Sequence, residues 1–577
     1  MSAQPKSSRS PEGVPDSRGL NLFEADPSYA ALLDLHLGAD LAAHLRPHFI
    51  ELGKRAGGDF DEFALDADKF PPVLSGQTIE KSPAYRKLEE AAFGRYGLAA
   101  MSHRGGVLGW PAPLPPAAKY ALSFLYVQAE FGVCCPLSMT DSLARTIRKY
   151  ADPSLVARYL PGLTSQDMDA LTQGAMFITE QQAGSDVGSV KTVAKRQGDH
   201  WLLHGEKWFC SNADAGLALV LARPEGAPAG TRGLSLFLLP RSLPDGSPNR
   251  YRIERLKEKL GTRDMPSGEI VLEGALAWLV GDPQQGFKQM TDMINMSRLS
   301  NGMRAAGMMR RALTEALFVA RNRVAFAKPL IELPLMRRQL LKLMVPAEAA
   351  RSVLFYAAKA LDKADAGDEA ARRRVRLLTP LIKFRACRDA RKATGDAMEV
   401  RGGVGYTEEW SDPRLVRDAH LGSIWEGTSN IVALDVLRAI RRENCLDALL
   451  PDLEARIARA PDALAARLSE SLARAAAFAR EAANTRDDSH ARQAATGLYY
   501  ACAVAVLADE GTRLGERSER PDARRQLIAL LAYAHRLAPR DPLRAAAIGH
   551  EAELADALLP ETPLAPPAVA RMLSRLA

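Results

Sequence analysis

The middle of the chain changes its pattern abruptly, and this change constrains the fold more than any other feature. From about residue 175 to about residue 283, short apolar runs are separated by Gly, Pro and Asp. The stretch "SVKTVAKRQGDHWLLHGEKWFCS" alternates along its length and contains a turn at Gly198–Asp199, which is typical of a hairpin. Because "LALVLARP", "LSLFLLP", "YRIERLK" and "GEIVLEG" follow within roughly 110 residues, a small β-domain or barrel is predicted.

Helical patterns flank this region on both sides. "AAHLRPHFIELGKRAG" and "AAKYALSFLYVQAEFG" precede it, with apolar residues at three-to-four spacing. After it, "FKQMTDMINMSRLSNGMRAAGMMRRALTEALFVARNRV" predicts one long helix, and three more are predicted within 335–365, 369–400 and 429–440. Four antiparallel helices make a bundle. The predicted fold class is therefore α+β, mostly α.

A chain of 577 residues is too long for one core, so three or four domains of roughly 150 residues are expected. The first twenty residues, "MSAQPKSSRSPEGVPDSRGL", have no apolar core, which argues against a secretion signal and favours disorder. The predicted parts are a disordered lead (1–20), an N-terminal α-helical domain (21–174), a middle β-barrel domain (175–283), a four-helix-bundle domain (284–442) and a C-terminal helical extension (443–577).

The net charge of +7 is a mild excess that permits anionic partners without requiring nucleic acid. From residue 441 onward there are 19 arginines, no lysine and 19 acidic residues, so this extension is neutral. The basic excess lies before it, notably in "RRRVRLLTPLIKFRACRDARK" (372–392). This run fits a DNA-binding face, a solvated helix face or contacts to the phosphates of a ligand, whereas the neutral extension argues against a nucleic-acid site there.

The six cysteines form neither a CxxC pair nor an evident disulfide framework. They predict a reducing, cytoplasmic environment and no metal site. No apolar run approaches the roughly 18 residues that a membrane span needs, so no membrane association is expected.

Three segments carry candidate ligand contacts, each with a plain structural alternative. "FITEQQAGSDVGS" (177–189) offers Thr179, Ser185 and backbone N–H groups to anionic or carbonyl oxygens, or is an ordinary polar loop. In "GEKWFCSN" (205–212), Trp208 and Phe209 are expected on opposite faces of a strand, one in the core and one free to stack on a flat ring. The alternative is that both pack.

The third segment, "EVRGGVGY" (399–406), lets a backbone approach a ligand closely, or simply ends a helix. Its glycines do not form GxGxxG before a βαβ unit, so a Rossmann site is not predicted.

The stretch "IWEGTSNI" (424–431) places Glu426 just before a predicted helix. A carboxylate there gains about 0.3–1 kcal/mol from the helix dipole, which is the simpler explanation. However, Ile424, Trp425 and Gly427 surround it with apolar or absent side chains. A water-shielded carboxylate is typical of a general base.

Taken together and in this order, "TEQQAGSD", "GEKWFCSN", "KLGTR", "RNRVAFAKP", "RGGVGY" and "RDAHLGSIWEGTSNI" resemble the acyl-CoA dehydrogenase family. The resemblance runs from about residue 21 to about residue 440. "QAEFGVCCPLSMT", "PLIELPLMRRQL" and the C-terminal extension are most similar to the AidB-type, adaptive-response branch of that family.

The resemblance implies an FAD-dependent enzyme that oxidises an acyl-CoA thioester to 2-enoyl-CoA. Glu426 matches the base that takes the α-proton while the β-hydride moves to the flavin. Substrate contacts are implied for Ser185, Arg298, Glu426 and Gly427, and Arg298 matches the arginine that steadies the active-site helix. FAD contacts are implied for Phe177, Thr179, Ser185, Phe209, Ser211, Arg323, Phe326, Glu399, Gly402, Gly403, Thr428 and Asn430. Arg323 and Phe326 match contacts to the FAD of a neighbouring subunit.

This sequence departs from the common family pattern at several positions. Glu399 replaces a glutamine, Phe209 a tryptophan, and Gln181 and Gln182 replace Pro-Gly. Some members carry the base on an earlier helix, at the position of Ser297; because serine cannot serve as that base, Glu426 is the expected one.

The resemblance also implies an electron-transfer flavoprotein as acceptor, a role in fatty acid metabolism and a homotetramer built as a dimer of dimers. Two other functions are kept open. One is a DNA-associated, alkylation-response flavoprotein with weak dehydrogenase activity, and the other is a flavin-binding scaffold with little turnover.

Overall fold

A computed structural model describes residues 13–485, 487–539, 543 and 551–576. These residues divide into two compact units. The first, called the helical unit here, includes the described residues up to 61, 305–423 and those from 432 onward, and the second, called the sheet unit, comprises 62–304 and 424–431. The helices are α1 (Pro27–Leu37), α2 (Ala39–Ala56), α3 (Asp59–Lys69), α4 (Pro83–Glu89), α5 (Pro116–Tyr126), α6 (Cys134–Tyr150), α7 (Pro153–Leu163), α8 (Gly286–Asn322), α9 (Pro334–Asp365), α10 (Glu369–Arg401), α11 (Ser411–Gly422), α12 (Ser429–Glu443), α13 (Cys445–Ile457), α14 (Asp462–Asn484), α15 (Ala491–Gly515), α16 (Arg524–Arg536), α17 (Glu551–Leu558) and α18 (Pro566–Leu576).

The sheet unit contains the predicted β-domain. The strands of the chain are β1 (Val73–Ser75), β2 (Thr78–Glu80), β3 (Gly174–Phe177), β4 (Val193–Gln197), β5 (His200–Ser211), β6 (Leu217–Pro224), β7 (Ser235–Pro240), β8 (Tyr251–Leu256), β9 (Ser267–Val280), β10 (Val324–Ala325) and β11 (Lys328–Pro329). Strands β1 and β2 form a short separate hairpin, and so do β10 and β11, which belong to the helical unit. In the seven-stranded sheet the order is β3-β6-β4-β5-β9-β7, with β8 on β9. Because β6 also pairs with β7, strands β4, β5, β9, β7 and β6 form a closed ring. The prediction of a small barrel is confirmed.

Both faces of strands β6 and β7 are apolar and buried, which explains why these two strands appear in the sequence as continuous apolar runs. In β6, Leu217, Leu219 and Leu221 belong to one buried cluster together with side chains of α6 and the start of α8. The alternate residues Ala218 and Val220 belong to a second cluster inside the sheet. The predicted turn at Gly198 is confirmed: β4 pairs with β5 up to Gln197 and His200, and Gly198 has φ of 64°.

The helical unit contains α9 and α10 of the predicted bundle, the C-terminal half of α8, and most of α12. The helices of the C-terminal extension also pack here, with α13 and α15 against α10, and α15 and α16 against α9. Leu498, Val504 and Leu507 of α15 are fully buried. The extension is therefore part of the core of this unit.

The predicted disordered lead is wrong for the part that the structure describes. Ser17 is buried and donates a hydrogen bond to Glu315, and the carbonyl oxygen of Pro15 accepts from Arg401 at 3.0 Å. Gly19 N–H also donates to the carbonyl of Gly57 at 2.7 Å. These polar contacts keep the segment ordered, although it has few apolar residues and its composition alone predicts disorder. Residues 1–12 of the lead lie outside the described residues.

A network of buried ion pairs, the central ion network, joins the helices of the helical unit. Arg525 lies 2.6 Å from Glu348 and 2.8 Å from Glu510, and Arg310 lies 2.7 Å from Glu561. Such close ion pairs are needed because transferring a charged group from water into the protein interior costs several kcal/mol of free energy per ion. The remaining members are Asp26, His36, Arg351 and Ser352. The network therefore connects the extension to α8 and α9.

Acid will weaken the helical unit through this network. Burial alone would raise the pKa of Glu510, but Arg525 and the hydrogen bond with His36 outweigh it and lower the pKa from 4.5 to about 2. The ionised form is favoured in the folded state, so this stabilisation is complete above about pH 4.5 and disappears as the pH falls towards about 2. The loss amounts to about 3 kcal/mol, at roughly 1.4 kcal/mol per pKa unit. Burial also lowers the pKa of His36, which adds to the loss in acid because the unfolded state gains that proton first.

The measurement is urea unfolding across this pH window, for the unaltered protein and for Glu510→Gln. We expect the variant to be the less stable at neutral pH and the difference to narrow as the pH falls. A constant difference would contradict the assignment to Glu510.

All six cysteines are free and buried. Burial raises the pKa of Cys135 to about 11 and those of Cys445 and Cys502 to about 12. Within the described ranges, no helix combines the length and the apolar character of a membrane span.

Candidate active site

Glu426 lies in the short connection between α11 and α12 and belongs to the sheet unit. Its φ is 54°, in the left-handed region that glutamate rarely adopts, and Gly427 follows with φ of 101°. A non-glycine residue in this conformation costs of order 1–3 kcal/mol, and such residues concentrate at functional sites. The backbone here is therefore bent at the residue that the sequence singled out.

The carboxylate of Glu426 is held by α8. Its side chain is only 7% exposed, Oε1 accepts a hydrogen bond from Ser297 Oγ, and the Arg304 guanidinium lies 3.8 Å from the same oxygen. Oε2 is buried and has no hydrogen-bond partner among the described residues. One oxygen is thus fixed while the other is available to accept a proton. This arrangement favours the general base over the simpler explanation, a carboxylate capping α12.

Consecutive residues of α8 position both the side chain and the backbone of Glu426. Ser297 binds the carboxylate, and Arg298 Nε donates to the Glu426 carbonyl oxygen at 3.0 Å. Arg298 therefore steadies the connection that carries the base. Ser297, which sequence analysis only excluded as a base, is the main donor to the base; a serine one residue before Arg298 gave no signal for this contact.

An aromatic pair and a buried arginine lie beside the carboxylate. The rings of Trp425 and Phe131 stack with centroids 5.8 Å apart, and the Arg304 guanidinium lies 4.6 Å from the Trp425 ring centroid and 5.4 Å from that of Phe131. Arg304 is fully buried. These groups exclude water from the side of Glu426 that faces them, and neither Phe131 nor Arg304 was identified from the sequence.

The loop after β3 is tied to strand β5. Trp208 N–H donates to the Thr179 carbonyl at 2.8 Å, and Lys207 Nζ lies 2.8 Å from Glu180. Glu180 also accepts from Thr192 N–H at 3.1 Å. Burial opposes ionisation of Glu180, but Lys207 and these hydrogen bonds lower its pKa. The ion pair thus fixes Thr179 beside the strand that carries Phe209 and Ser211. Neither Glu180 nor Lys207 was identified as important from the sequence, although they lie within the motifs "TEQQ" and "GEKW".

Phe209 is available for stacking, although the expected alternation at this point is wrong. The register between β5 and β9 shifts between Lys207 and Cys210, which marks a β-bulge at Trp208 and Phe209. Neither aromatic ring enters the sheet core; the rings lie edge to face, 6.4 Å apart, and Phe209 is 56% exposed. A bulge re-aims side chains and breaks the two-residue alternation.

The other predicted residues of the sheet unit differ in accessibility. Ser185, Thr428 and Asn430 are exposed, and Ser211 is half-buried. Phe177 differs from them, because its side chain is fully buried in the sheet core. The prediction that Phe177 contacts the cofactor is therefore restricted to its backbone.

The remaining predicted residues belong to the helical unit. Arg323 donates to the Arg401 carbonyl at 2.5 Å, directly before Gly402 and Gly403, so two of the predicted segments meet. Arg401 is itself buried and lies 2.6 Å from Glu315 and 3.0 Å from Asp412, which anchors the glycine-rich turn. Glu399, Gly402 and Gly403 are exposed around it.

Phe326 lies at the tip of the β10–β11 hairpin. Phe326 and Ala327 have φ of 53° and 60°, the conformation of a type I′ turn that usually contains Asn-Gly. The Phe326 side chain is 89% exposed. A strained turn that presents an aromatic ring to solvent is the geometry expected of a binding contact.

These residues fit a flavin nucleotide. In the sheet unit, an exposed phenylalanine lies on the same strand as Ser211 and beside the Thr179 loop. In the helical unit, an arginine, two exposed glycines and an exposed aromatic ring offer a phosphate donor, close backbone approach and a stacking surface. By contrast, the described part of the chain holds no cluster of His, Cys, Asp and Glu that would bind a metal ion.

Comparisons with known proteins agree with this architecture. Three family models match consecutive segments: "Adaptive response protein AidB N-terminal domain" at residues 13–170, "Acyl-CoA dehydrogenase, middle domain" at 175–275 and "Acyl-CoA dehydrogenase, C-terminal domain" at 284–441. The chain is 39% identical over 339 residues to the putative acyl-CoA dehydrogenase AidB of Escherichia coli, covering 56% of this chain and 60% of that protein.

The chain is also similar to an enzyme and to a solved structure of this group. Glutaryl-CoA dehydrogenase of Desulfococcus multivorans is 31% identical over 52% of this chain and 75% of that enzyme. The crystal structure of Caenorhabditis elegans ACDH-11 in complex with C11-CoA superposes with a TM-score of 0.82 and 27% identity, covering 93% of each chain.

The alignment thus spans less than two thirds of the length of AidB but three quarters of glutaryl-CoA dehydrogenase. The predicted fold class, with N-terminal helical, middle barrel and C-terminal helical parts, is confirmed, and so is the resemblance to the AidB-type branch. FAD, the cofactor of this family, agrees with the residues described above. The chain belongs to the acyl-CoA dehydrogenase family.

Proposed function

We propose that the protein is an FAD-dependent acyl-CoA dehydrogenase that converts an acyl-CoA thioester to the 2-enoyl-CoA, with Glu426 as the base. One observation carries the proposal: the Glu426 carboxylate is shielded from water and fixed through Oε1 by Ser297, while no described residue donates a hydrogen bond to the buried Oε2. A carboxylate built only for stability normally satisfies both oxygens when it is buried.

The α-carbon of a thioester is a very weak acid, so the base must be placed accurately. Proximity and orientation of this kind supply up to about 7–11 kcal/mol of a barrier. Ser297 and Arg298 meet this requirement by fixing the side chain and the carbonyl of Glu426 from one helix. Trp425 and Phe131 exclude water beside the carboxylate, which strengthens its interactions with the substrate.

The proposed FAD contacts divide into one set of residues in the sheet unit and one set in the helical unit. Thr179, Ser185, Phe209, Ser211, Thr428 and Asn430 hold the flavin in the sheet unit, while Arg323, Phe326, Glu399, Gly402 and Gly403 bind the FAD of a neighbouring subunit. When bound, FAD would accept the hydride from the β-carbon. Glu426 takes the α-proton on Oε2, and its backbone N–H donates to the thioester oxygen, a contact of a kind worth about 2.7–4 kcal/mol.

The wider setting belongs to the same proposal. The substrate is an acyl-CoA of fatty acid metabolism, the electron acceptor is an electron-transfer flavoprotein, the assembly is a homotetramer and the location is the cytoplasm. The ACDH-11 relative was crystallised with C11-CoA, which supports a fatty-acyl thioester as the substrate class.

The test is anaerobic mixing of the purified yellow protein with short, branched and long acyl-CoA thioesters. We expect at least one of them to bleach the flavin absorbance and to yield the 2-enoyl-CoA. If none of the thioesters reduces the flavin, the result would contradict the dehydrogenase proposal and favour the flavin-binding scaffold with little turnover. A duplex-DNA gel shift whose affinity falls steeply with salt would favour the alkylation-response alternative.

A further inference from the structure

A cleft in the helical unit is lined by five arginines that are far apart in sequence. Its volume is about 620 Å³. Arg385 and Arg388 come from α10, Arg474 from α14, Arg492 from α15 and Arg536 from α16. Among the described residues, no acidic side chain lines this arginine cleft. The cleft brings two arginines of the basic run at 372–392 together with three arginines of the extension. The extension is neutral in total, so its sequence gives no sign of this local excess of positive charge.

The carboxylates near the cleft offset only part of this charge. Asp389 binds Arg385 at 3.0 Å, and Glu470 lies 3.6 Å from Arg474, where both partners are largely exposed and the attraction is weak. Arg536 lies over the Tyr500 ring at 5.1 Å. None of the ion pairs found between described residues includes Arg492, which is exposed at the start of α15. The cleft therefore retains a net positive charge.

The arginines interact electrostatically across the cleft. Burial, together with Arg492, Arg385 and Arg391, lowers the pKa of Arg388. Like charges held this close raise the free energy of the empty cleft, and a bound anion would offset that cost. Arginine is the side chain best matched to phosphate, because its planar fork donates two parallel hydrogen bonds.

The rest of the lining narrows the chemical class of the ligand. Phe478 contributes an aromatic wall, while Ser471, Gln493 and Thr496 contribute neutral hydrogen-bonding groups. A cleft of about 620 Å³ is within the range of roughly 300–1,000 Å³ for small-molecule sites and exceeds the needs of one inorganic phosphate. A flat ring against Phe478, hydroxyls near the polar groups and several phosphates on the arginines would satisfy all three parts of the lining.

We propose that the arginine cleft binds a nucleoside di- or triphosphate. The site is separate from the residues assigned to FAD and acyl-CoA, and it does not depend on the proposed dehydrogenase activity. Its location among α10, α14, α15 and α16 gives the extension a ligand-binding role.

The test is calorimetric titration of the full-length, FAD-loaded protein with ATP, ADP, the unphosphorylated nucleoside and inorganic pyrophosphate. We expect ATP and ADP to bind, the nucleoside to show no binding, and pyrophosphate to bind more weakly than ADP. Arg492→Gln and Arg388→Gln should each weaken ATP binding by at least about tenfold. Arg480→Gln, an exposed arginine of α14 outside the cleft, is the matched control and should bind ATP normally.

Two measurements make the outcome decisive. Thermal unfolding and flavin content should be unchanged in Arg492→Gln, whose side chain is exposed, so that lost binding reports the cleft rather than the fold. Undetectable ATP binding, or ATP binding that survives both cleft variants, overturns the proposal. A duplex DNA that binds through the same arginines and displaces ATP would also overturn it, because the cleft would then be part of a nucleic-acid surface.

Discussion

Replacing Glu426 by Gln will lower the rate of flavin reduction by an acyl-CoA substrate by about 10²–10⁴-fold, the usual contribution of a positioned general base. Glutamine has the same shape and can still accept from Ser297, so FAD content and thermal stability are expected to remain at the level of the unaltered protein. The measurement is single-turnover flavin bleaching in a stopped-flow instrument. Because only the proton-accepting oxygen is lost, the effect should fall on the rate of bleaching rather than on the affinity for acyl-CoA.

Two further variants separate the chemistry from the position of the carboxylate. Glu426→Asp keeps the charge but withdraws it by one methylene, so its rate should lie between those of the unaltered protein and Glu426→Gln. Aspartate tolerates the left-handed backbone at this position. Glu454→Gln, an exposed glutamate of α13, is the control and should reduce flavin normally. Unimpaired reduction by Glu426→Gln would show that another group takes the proton.

Replacing Arg525 by Met will destabilise the helical unit by about 3–5 kcal/mol, because the buried carboxylates of Glu348 and Glu510 lose their shared partner. Arg525 also donates to Ser352 at 2.6 Å, so a buried hydroxyl loses its donor as well. Methionine fills a similar volume, which keeps the effect electrostatic rather than a matter of packing. The measurement is urea unfolding followed by circular dichroism, with the transitions of the two units fitted separately.

The matched control is Arg480→Met, which removes a solvent-exposed ion pair with Asp447 and should cost less than about 1 kcal/mol. Combining Arg525→Met with Glu348→Gln and Glu510→Gln should recover part of the loss, since two buried charges then disappear. If Arg525→Met alone unfolds like Arg480→Met, the central ion network does not determine the stability of this unit.

Local patterns predicted the elements of this fold well. The limits of β6, β7 and β8 follow from Gly, Pro and Asp between apolar runs, and α8, α9 and α10 follow from sustained three-to-four spacing. In contrast, the β-bulge at Trp208 and Phe209 depends on pairing with β9, and no local pattern encodes it. Residues 13–20 were misassigned because their order derives from distant polar partners rather than from their own apolar content.

The same distinction applies to the candidate sites. Glu426 was identifiable because its unusual apolar neighbours adjoin it in sequence. Ser297 and Arg304 were not, since they lie more than a hundred positions earlier and reach the carboxylate only through the path of α8. The arginine cleft was not predicted for a related reason. The extension has equal numbers of basic and acidic residues, but folding brings several of its arginines together on one surface, and a total over the segment does not show this.

The buried cysteines have a consequence for how opening of this protein can be observed. A thiol that is buried inside the fold is inaccessible to solvent, so it reacts with a labelling reagent only during transient opening. Cys134, Cys135 and Cys210 lie in the sheet unit, whereas Cys387, Cys445 and Cys502 lie in the helical unit. The order in which these sulfurs become alkylated, measured by peptide mass spectrometry, therefore ranks the local opening rates of the two units without introducing any new cysteine.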